Sequence, residues 1–311
     1  MKRRLALVFG GLGLLLALAF ALAGVDLRGA WEYAANHPVE VALAAAAYTA
    51  AFVFRAASWR PLIGAPIQLP KLFNLLMGAL FLNHAAPAKA GDLARMYALS
   101  RRIPAGRAVA SVVLSRIVDL VGLLAVLAGA WALAGAGGWG RLLLPALVVA
   151  GAVGGLFLLS RLRLPDFLGA RFGAVERILS RAREALGETS RSALLWAFVL
   201  AVPAWVLEAG ILYVVGRGLG LGLSPAEVVA ATCFAVLVAA VPLAPGALGT
   251  YEAGMVAILL AFGVSAEPAF AAAVVTHAMK FLYAFAAAPF AFGEGLAALE
   301  KGKVRPDEAR F

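Results

Sequence analysis

Leu243-Ala-Pro245-Gly246-Ala-Leu-Gly249-Thr250-Tyr-Glu252 interrupts an apolar stretch that would otherwise read as one long helix. The leg before it, Val228–Val241, carries no charge. Proline removes a backbone donor and glycine loosens the chain, so one helix ends here and another starts. In hydrocarbon such a break leaves N–H and C=O groups unpaired, and it is tolerated only where protein or a wet cavity receives them. The stretch therefore predicts a hairpin of two short helical legs over 225–263.

The same pattern occurs upstream. Pro87-Ala-Lys89-Ala-Gly91-Asp92 follows the apolar leg Leu72–Leu82. Both breaks read Pro-x-x-x-Gly with an acid just beyond, Asp92 in one and Glu252 in the other. Each hairpin, 70–100 and 225–263, leads into one long helix, expected over 107–134 and 267–293. Arg116 and Asp119 in the first long helix correspond to His277 and Lys280 in the second. The chain thus holds two repeat-like units, roughly 70–134 and 225–293.

The rest of the sequence places these units in a membrane. Of 311 residues, 63% are hydrophobic and only 14% charged, against about 25% charged in an average soluble domain. The mean hydropathy is +0.92. Charge-free runs such as Leu5–Val25 and Val121–Gly140 suit a hydrocarbon layer about 30 Å thick. The expected fold is an all-α integral membrane protein with about six full transmembrane helices plus two hairpins of short or re-entrant helices, in a single membrane domain over 1–311. Further helices are expected at 5–25, 39–58, 142–160 and 192–216. Met1-Lys-Arg-Arg4 with Ala21-Leu-Ala23 imitates a signal peptide, but the length of the apolar run favours a retained first helix.

The formal net charge of +10 comes from Lys and Arg gathered in loops. That fits membrane orientation and anionic headgroups rather than nucleic acid. Lys2, Arg3 and Arg4, then Arg55 and Arg60, the basic residues around 89–107, the arginines of 161–191, and Lys301, Lys303 and Arg305 all fall on one side if each hairpin starts and ends on the same side. Both termini are then cytoplasmic, in the plasma (inner) membrane. On this topology the two hairpins enter from opposite faces, which makes an inverted repeat, a recurring plan of transporters. Phe172, Val175, Ile178, Leu179 and Leu186 form an apolar stripe with arginines between, so 171–190 reads as an interfacial amphipathic helix or a plain connector.

Few residues can carry chemistry. An inward-pointing helix N-terminus after each break attracts anions; the other reading of Pro245, Gly246 and Gly249, or of Pro87 and Gly91, is a tight turn at the membrane surface. Arg116 and Asp119 lie deep in an apolar helix, three apart, and share a face, as a substrate-facing pair or as a structural ion pair. Glu208 stands in the middle of its apolar helix, and Lys280 shares a face with His277. An ionisable group at such depth costs about 2.5–3.5 kcal/mol on insertion scales. Such groups face a cavity or a partner. Asn83 and His84 precede the first break and either satisfy freed backbone groups or touch a headgroup. Lys89 and Arg95 are candidate phosphate contacts or snorkelling interface residues. Arg55, Trp59 and Arg60 read as an interfacial anchor, with a headgroup role open. The single cysteine, Cys233, is expected as a packed apolar thiol. The three histidines, His37, His84 and His277, lack partners at ligand spacing, so no metal and no cofactor is expected.

Asn83 to Arg95, followed by Val113-Leu-Ser-Arg116-Ile-Val-Asp119, resembles the lysylphosphatidylglycerol synthase transmembrane-region family, also called flippase-like domain proteins. Leu243 to Glu252 is similar to that family's Pro-Gly-Gly-x-Gly-x-x-Glu signature, and Trp205 to Glu208 fits its pattern. The resemblance covers nearly the whole chain and is most specific at 83–119 and 242–280. It implies a membrane domain associated with moving lipids between leaflets, without the soluble aminoacyl transferase found in full-length relatives. Three departures bear on the pocket. Ala247 replaces a second glycine, His277 stands where arginine is common, and Ala88-Lys89 replaces Gly-Arg. The basic group is retained as Lys89, and His277 brings pH sensitivity in principle.

The expected function is a lipid translocase for a phosphate-bearing or polyprenyl lipid, its headgroup held at the two breaks. The partners are membrane lipids, anionic ones foremost, and a homodimer is compatible with the sequence. A small-solute or ion transporter of inverted-repeat type is the alternative. A membrane enzyme acting on lipid-linked substrates would need acids and histidines clustered around one cavity. The sequence shows them only scattered, and Gly-x-Ser-x-Gly, Walker-type and His-Glu-x-x-His signatures are missing. The chain is accordingly expected not to be an enzyme.

Overall fold

A computed structural model describes residues 32–33, 35–86, 90–134, 187–240 and 245–290. The expected helices at 5–25 and 142–160, nearly all of the interfacial helix 171–190, the charged tail, Pro87 and Lys89 lie outside the described residues.

The described chain is helical. Helix α1 is Pro38–Ile63, α2 Leu69–Ala85, α3 Ala90–Ser100 and α4 Ala105–Leu133. After the undescribed segment come α5 Arg191–Glu208, α6 Gly210–Gly218 and α7 Pro225–Ala239. A 3-10 turn, Pro245–Ala247, precedes α8 Thr250–Ala261 and α9 Ala266–Ala286, with a last turn at Ala288–Phe290. Among the described residues, four stretches are long and apolar enough to cross a membrane: Pro38–Ile63, Ala105–Leu133, Arg191–Gly218 and Ala266–Phe290, of 26, 29, 28 and 25 residues. The chain is an all-α, multi-pass membrane protein. The hairpin legs α2, α3, α7 and α8 have 17, 11, 15 and 12 residues. All are shorter than the roughly 20 residues of a straight span.

Local chemistry sets the boundaries. Ser224 accepts from the Glu227 N–H while Glu227 reaches back to the Ser224 N–H, and Pro225 opens α7, a capping box with proline at the first helical position. Ser190 caps α5 by accepting from the Ala193 N–H at 3.2 Å. The helix expected over 39–58 runs on through Pro61 and stops at Gly64, which is left-handed with φ 65°. The helix expected over 192–216 is divided at Ala209, whose N–H turns back to Val206 at 3.2 Å. Glu208 thus sits beside a third discontinuity, flanked in sequence by Pro203 and Gly210.

Packing brings the two hairpins together. Helix α5 packs along α1 and against α4, and α7 packs on both α4 and α8. Helix α2 touches α9 and also the 3-10 turn of the second break. A core with Tyr48, Trp59, Leu72, Leu114, Leu212, Met255 and Leu259 buried joins these helices. A second cluster packs Leu123, Leu127, Trp205 and Cys233 together. The buried thiol is as the sequence predicts. The tightest approach is within the first hairpin, where a Cβ on Gly91 would lie 2.1 Å from the Ala79 carbonyl oxygen. Only glycine lets α3 lie so close to α2.

Candidate functional site

Side chains bind the backbone at the described residues of both breaks. At the first, the Gly91 N–H donates to Asn83 Oδ1 at 2.9 Å, so Asn83 satisfies a freed backbone donor. His84 Nδ1 lies 2.9 Å from the Leu80 carbonyl, and its ring meets Phe281 edge-on at 4.8 Å. At the second, the Gly249 N–H donates to Glu252 Oε2 at 2.8 Å. The Thr250 hydroxyl donates to the Ala247 carbonyl at 2.9 Å. His277 spans the turn, with Nδ1 2.6 Å from Glu252 Oε1 and Nε2 3.0 Å from the Gly246 carbonyl. Gly246 has φ 63° and Ala247 φ 60°, so two successive residues are left-handed. The Gly246 position leaves no room for a side chain, since a Cβ there would lie 2.3 Å from the Phe281 ring.

A cavity of about 680 Å³ lies between the two breaks. From the first hairpin it is lined by Asn83, His84 and Asp92, and from the second by Gly246, Ala247 and Tyr251. Its remaining walls carry Arg116 and Asp119 from α4, Glu208 and Trp205 from α5, His277 and Lys280 from α9, and Tyr48 and Arg55 from α1. Of the other residues singled out by sequence, Gly91 and Arg95 stand behind Asp92. Gly249 and Glu252 stand behind His277. Pro245 contributes backbone to the 3-10 turn.

Seven of these charges form one chain of alternating sign. Arg95 donates to Asp92 at 2.8 Å. Arg116 holds the same carboxylate through two nitrogens, at 2.6 and 3.0 Å. Arg116 then lies 3.9 Å from Asp119, and Asp119 lies 3.4 Å from Arg55. Arg55 donates to Glu208 at 2.5 Å, and Lys280 donates to the other Glu208 oxygen at 2.7 Å. Aromatic rings shield the inner cations: Arg55 lies 4.3 Å from the Trp205 ring centre, and Lys280 lies 5.0 Å from that of Tyr251, within cation–π range. The Trp205 indole N–H donates to the Asp119 backbone carbonyl at 2.9 Å. The Tyr251 hydroxyl is buried and finds no hydrogen-bond partner among the described residues.

Three expectations change on this geometry. Arg55 is no interfacial anchor: it lies two turns before the end of α1, its side chain is 11% exposed, and it joins Asp119 to Glu208. Trp59 beside it is 1% exposed. Arg116 and Asp119 share a face, but the close partner of Arg116 is Asp92 from the first hairpin. His277 and Lys280 share a face yet serve different acids, Glu252 and Glu208. Sequence reasoning left Arg55 outside the site because Trp59 and Arg60 made it look like a helix end. The overlooked signal was a cation following 14 charge-free residues, Val41–Phe54.

Comparison with known proteins agrees with the membrane architecture. The family model described as the lysylphosphatidylglycerol synthase TM region matches residues 4–288. Among characterised proteins, the chain is 27% identical to the glycosyltransferase AglD of Haloferax volcanii, over 89% of this chain and 52% of that protein. The chain therefore spans about half the length of the relative it matches. No solved structure matches the chain. The relative's description overturns the expectation that the chain is not an enzyme. Missing sequence signatures do not exclude catalysis, and Asp92, Asp119, Glu208, His84 and His277, which looked scattered, line one cavity.

Proposed function

The chain belongs to the lysylphosphatidylglycerol synthase transmembrane-region family, and from that premise we propose that it moves a phosphate-bearing or polyprenyl lipid between leaflets. The cavity between the two breaks carries this reading. Its volume, about 680 Å³, falls in the range of sites for organic ligands, roughly 300–1,000 Å³. That is far more room than a bare ion requires, which favours a headgroup over the ion-transporter alternative. Arg116 is the most exposed cation among the described residues that line the cavity, with its side chain 46% exposed. Leu120, one turn further on and in the same wall, is 44% exposed. A phosphate can meet the first while an acyl or prenyl chain stays against the second and the surrounding lipid.

In this reading both units, 70–134 and 225–293, are halves of an inverted repeat. The order short helix, break, short helix, long helix in each supports it. The chain would sit in the plasma membrane with both termini cytoplasmic and anionic lipids around it, alone or as a homodimer. The test is leaflet exchange in proteoliposomes. Purified protein should speed the loss of outer-leaflet fluorescence of a labelled phosphatidylglycerol or polyprenyl phosphate, and Arg116→Gln should abolish most of that gain. Protein that accelerates neither lipid would overturn the proposal.

A second reading has one observation in its favour. The match to a glycosyltransferase fits a cavity that contributes to group transfer on a lipid-linked substrate. Product formation from a lipid phosphate and a sugar donor, assayed in the same proteoliposomes, separates it from simple transport.

A further inference from the structure

The charge chain is uneven in a way that points to its ligand. Every link that avoids Asp119 has a contact of 2.8 Å or less: Arg95 to Asp92, Arg116 to Asp92, Arg55 to Glu208 and Lys280 to Glu208. The two links to Asp119 are 3.9 Å to Arg116 and 3.4 Å to Arg55. Charge-assisted hydrogen bonds between nitrogen and oxygen run about 2.7–2.9 Å. Asp119 therefore stands between two guanidinium groups and is held closely by neither. Apart from the carboxylate, the Asp119 backbone carbonyl accepts from the Trp205 indole N–H at 2.9 Å.

The charge count agrees. Among the described residues, the ion-pair partners of Arg95, Arg116, Arg55 and Lys280 are Asp92, Asp119 and Glu208, which leaves one positive charge unmatched in this described network. The loose position is also the reachable one. The Arg116 side chain is 46% exposed and that of Asp119 18%, whereas Glu208 and Lys280 are 8% and 6%.

We propose that Asp119 holds the place of the substrate phosphate: a singly charged phosphate group binds between Arg116 and Arg55 by displacing the Asp119 carboxylate. The two non-bridging oxygens of a phosphodiester diverge at a tetrahedral angle, so one can accept from each guanidinium at charge-assisted distance, which the Asp119 carboxylate does not achieve at 3.9 and 3.4 Å. The bound phosphate makes the network neutral. Returning, the carboxylate competes the phosphate off, so binding stays weak enough for release, as any conducting site requires. The inference rests on the proposal that this cavity takes a lipid headgroup, and it makes Asp119 a built-in competitor rather than a ligand.

The sign of one mutational effect tests it. Full-length protein in a neutral detergent is titrated by calorimetry with dihexanoylphosphatidylglycerol, with inorganic phosphate and with dihexanoylglycerol, which has no phosphate. Asp119→Asn should bind the phosphatidylglycerol about tenfold tighter than wild type, since removing a fixed negative charge favours an incoming anion. Arg116→Gln should bind it at least about tenfold more weakly. Binding of dihexanoylglycerol should not respond to Asp119→Asn. A gain in affinity cannot come from a damaged fold, and thermal unfolding checks that each variant is folded. If wild type binds the phosphatidylglycerol and Asp119→Asn binds it no tighter, the displacement idea fails while the transport proposal stands. If the gain appears with inorganic phosphate alone, displacement holds and the ligand is free phosphate, which removes the lipid reading. If no phosphate compound binds either protein, both proposals fall.

Discussion

Lys280 donates to Glu208 at 2.7 Å, and both side chains are more than nine-tenths buried. The other Glu208 oxygen accepts from Arg55, so a single carboxylate neutralises cations from α1 and α9. Removing one member of a buried pair strands charge that the burial no longer compensates, at a typical cost of about 3–5 kcal/mol. Glu208→Gln should lower stability by that order, read as a fall in the thermal or denaturant midpoint in detergent. Glu208→Gln with Lys280→Gln should lose less than the sum of the single changes, because one stranded cation is removed with its partner. Additive losses would show that the pair is not coupled.

Gly91 and Gly106 make a paired test of the first hairpin. A Cβ on Gly91 would meet the Ala79 carbonyl oxygen at 2.1 Å, whereas one on Gly106 would meet no described residue within 4 Å. Backbone cannot move aside as a flexible side chain can. Gly91→Ala should therefore cost about 3 kcal/mol, the upper part of the usual range for overpacking. Gly106→Ala should gain roughly 0.5 kcal/mol from the smaller entropy of its unfolded chain. Unfolding midpoints of both variants in one detergent check this, and equal effects would count against the close crossing of α2 and α3.

His277→Leu probes the second break. The imidazole reaches both Glu252 and the Gly246 carbonyl, and leucine can serve neither. Glu252 keeps 18% of its side chain exposed and its bond to the Gly249 N–H, so the expected cost is about 2 kcal/mol, mostly the stranded carbonyl. Leaflet exchange should fall with it if the turn shapes the headgroup site. An unchanged midpoint would mean that the break is held by Glu252 and Thr250 without His277.

Cys233 needs no mutation. It is the single cysteine of the chain and is 0% exposed, on α7 in a cluster with residues of α4 and α5. A maleimide should leave the folded protein unlabelled and modify it fully in denaturing detergent. Mass spectrometry reads the difference, and rapid labelling of folded protein would contradict this packing.

The breaks were legible in the sequence because proline and glycine in an apolar run have few other uses. Arg116, Asp119, Glu208, His277 and Lys280 stood out for a related reason: an ionisable group deep in an apolar helix has to find a partner or a cavity. The partners themselves were not legible. Spacing along one helix suggested Arg116 with Asp119, yet Asp92 is nearer, and Arg55 reaches Glu208 across 153 positions. The break at Ala209 was hidden because Leu, Val and Trp continue the helical pattern around it.

What the sequence by itself determined is the helical membrane architecture, the two hairpins with their breaks, and the set of residues too polar to face lipid. Those properties follow from local backbone chemistry and from the cost of polarity in hydrocarbon. Only the tertiary structure decided that the two breaks share one cavity and that Arg55 belongs to it. It also decided that the charges run in one chain with Asp119 as its loosest member. Which charges meet depends on how far each helix is rotated and how closely helices cross, and those quantities are set by packing, as where Gly91 lies against Ala79, not by spacing along any one helix.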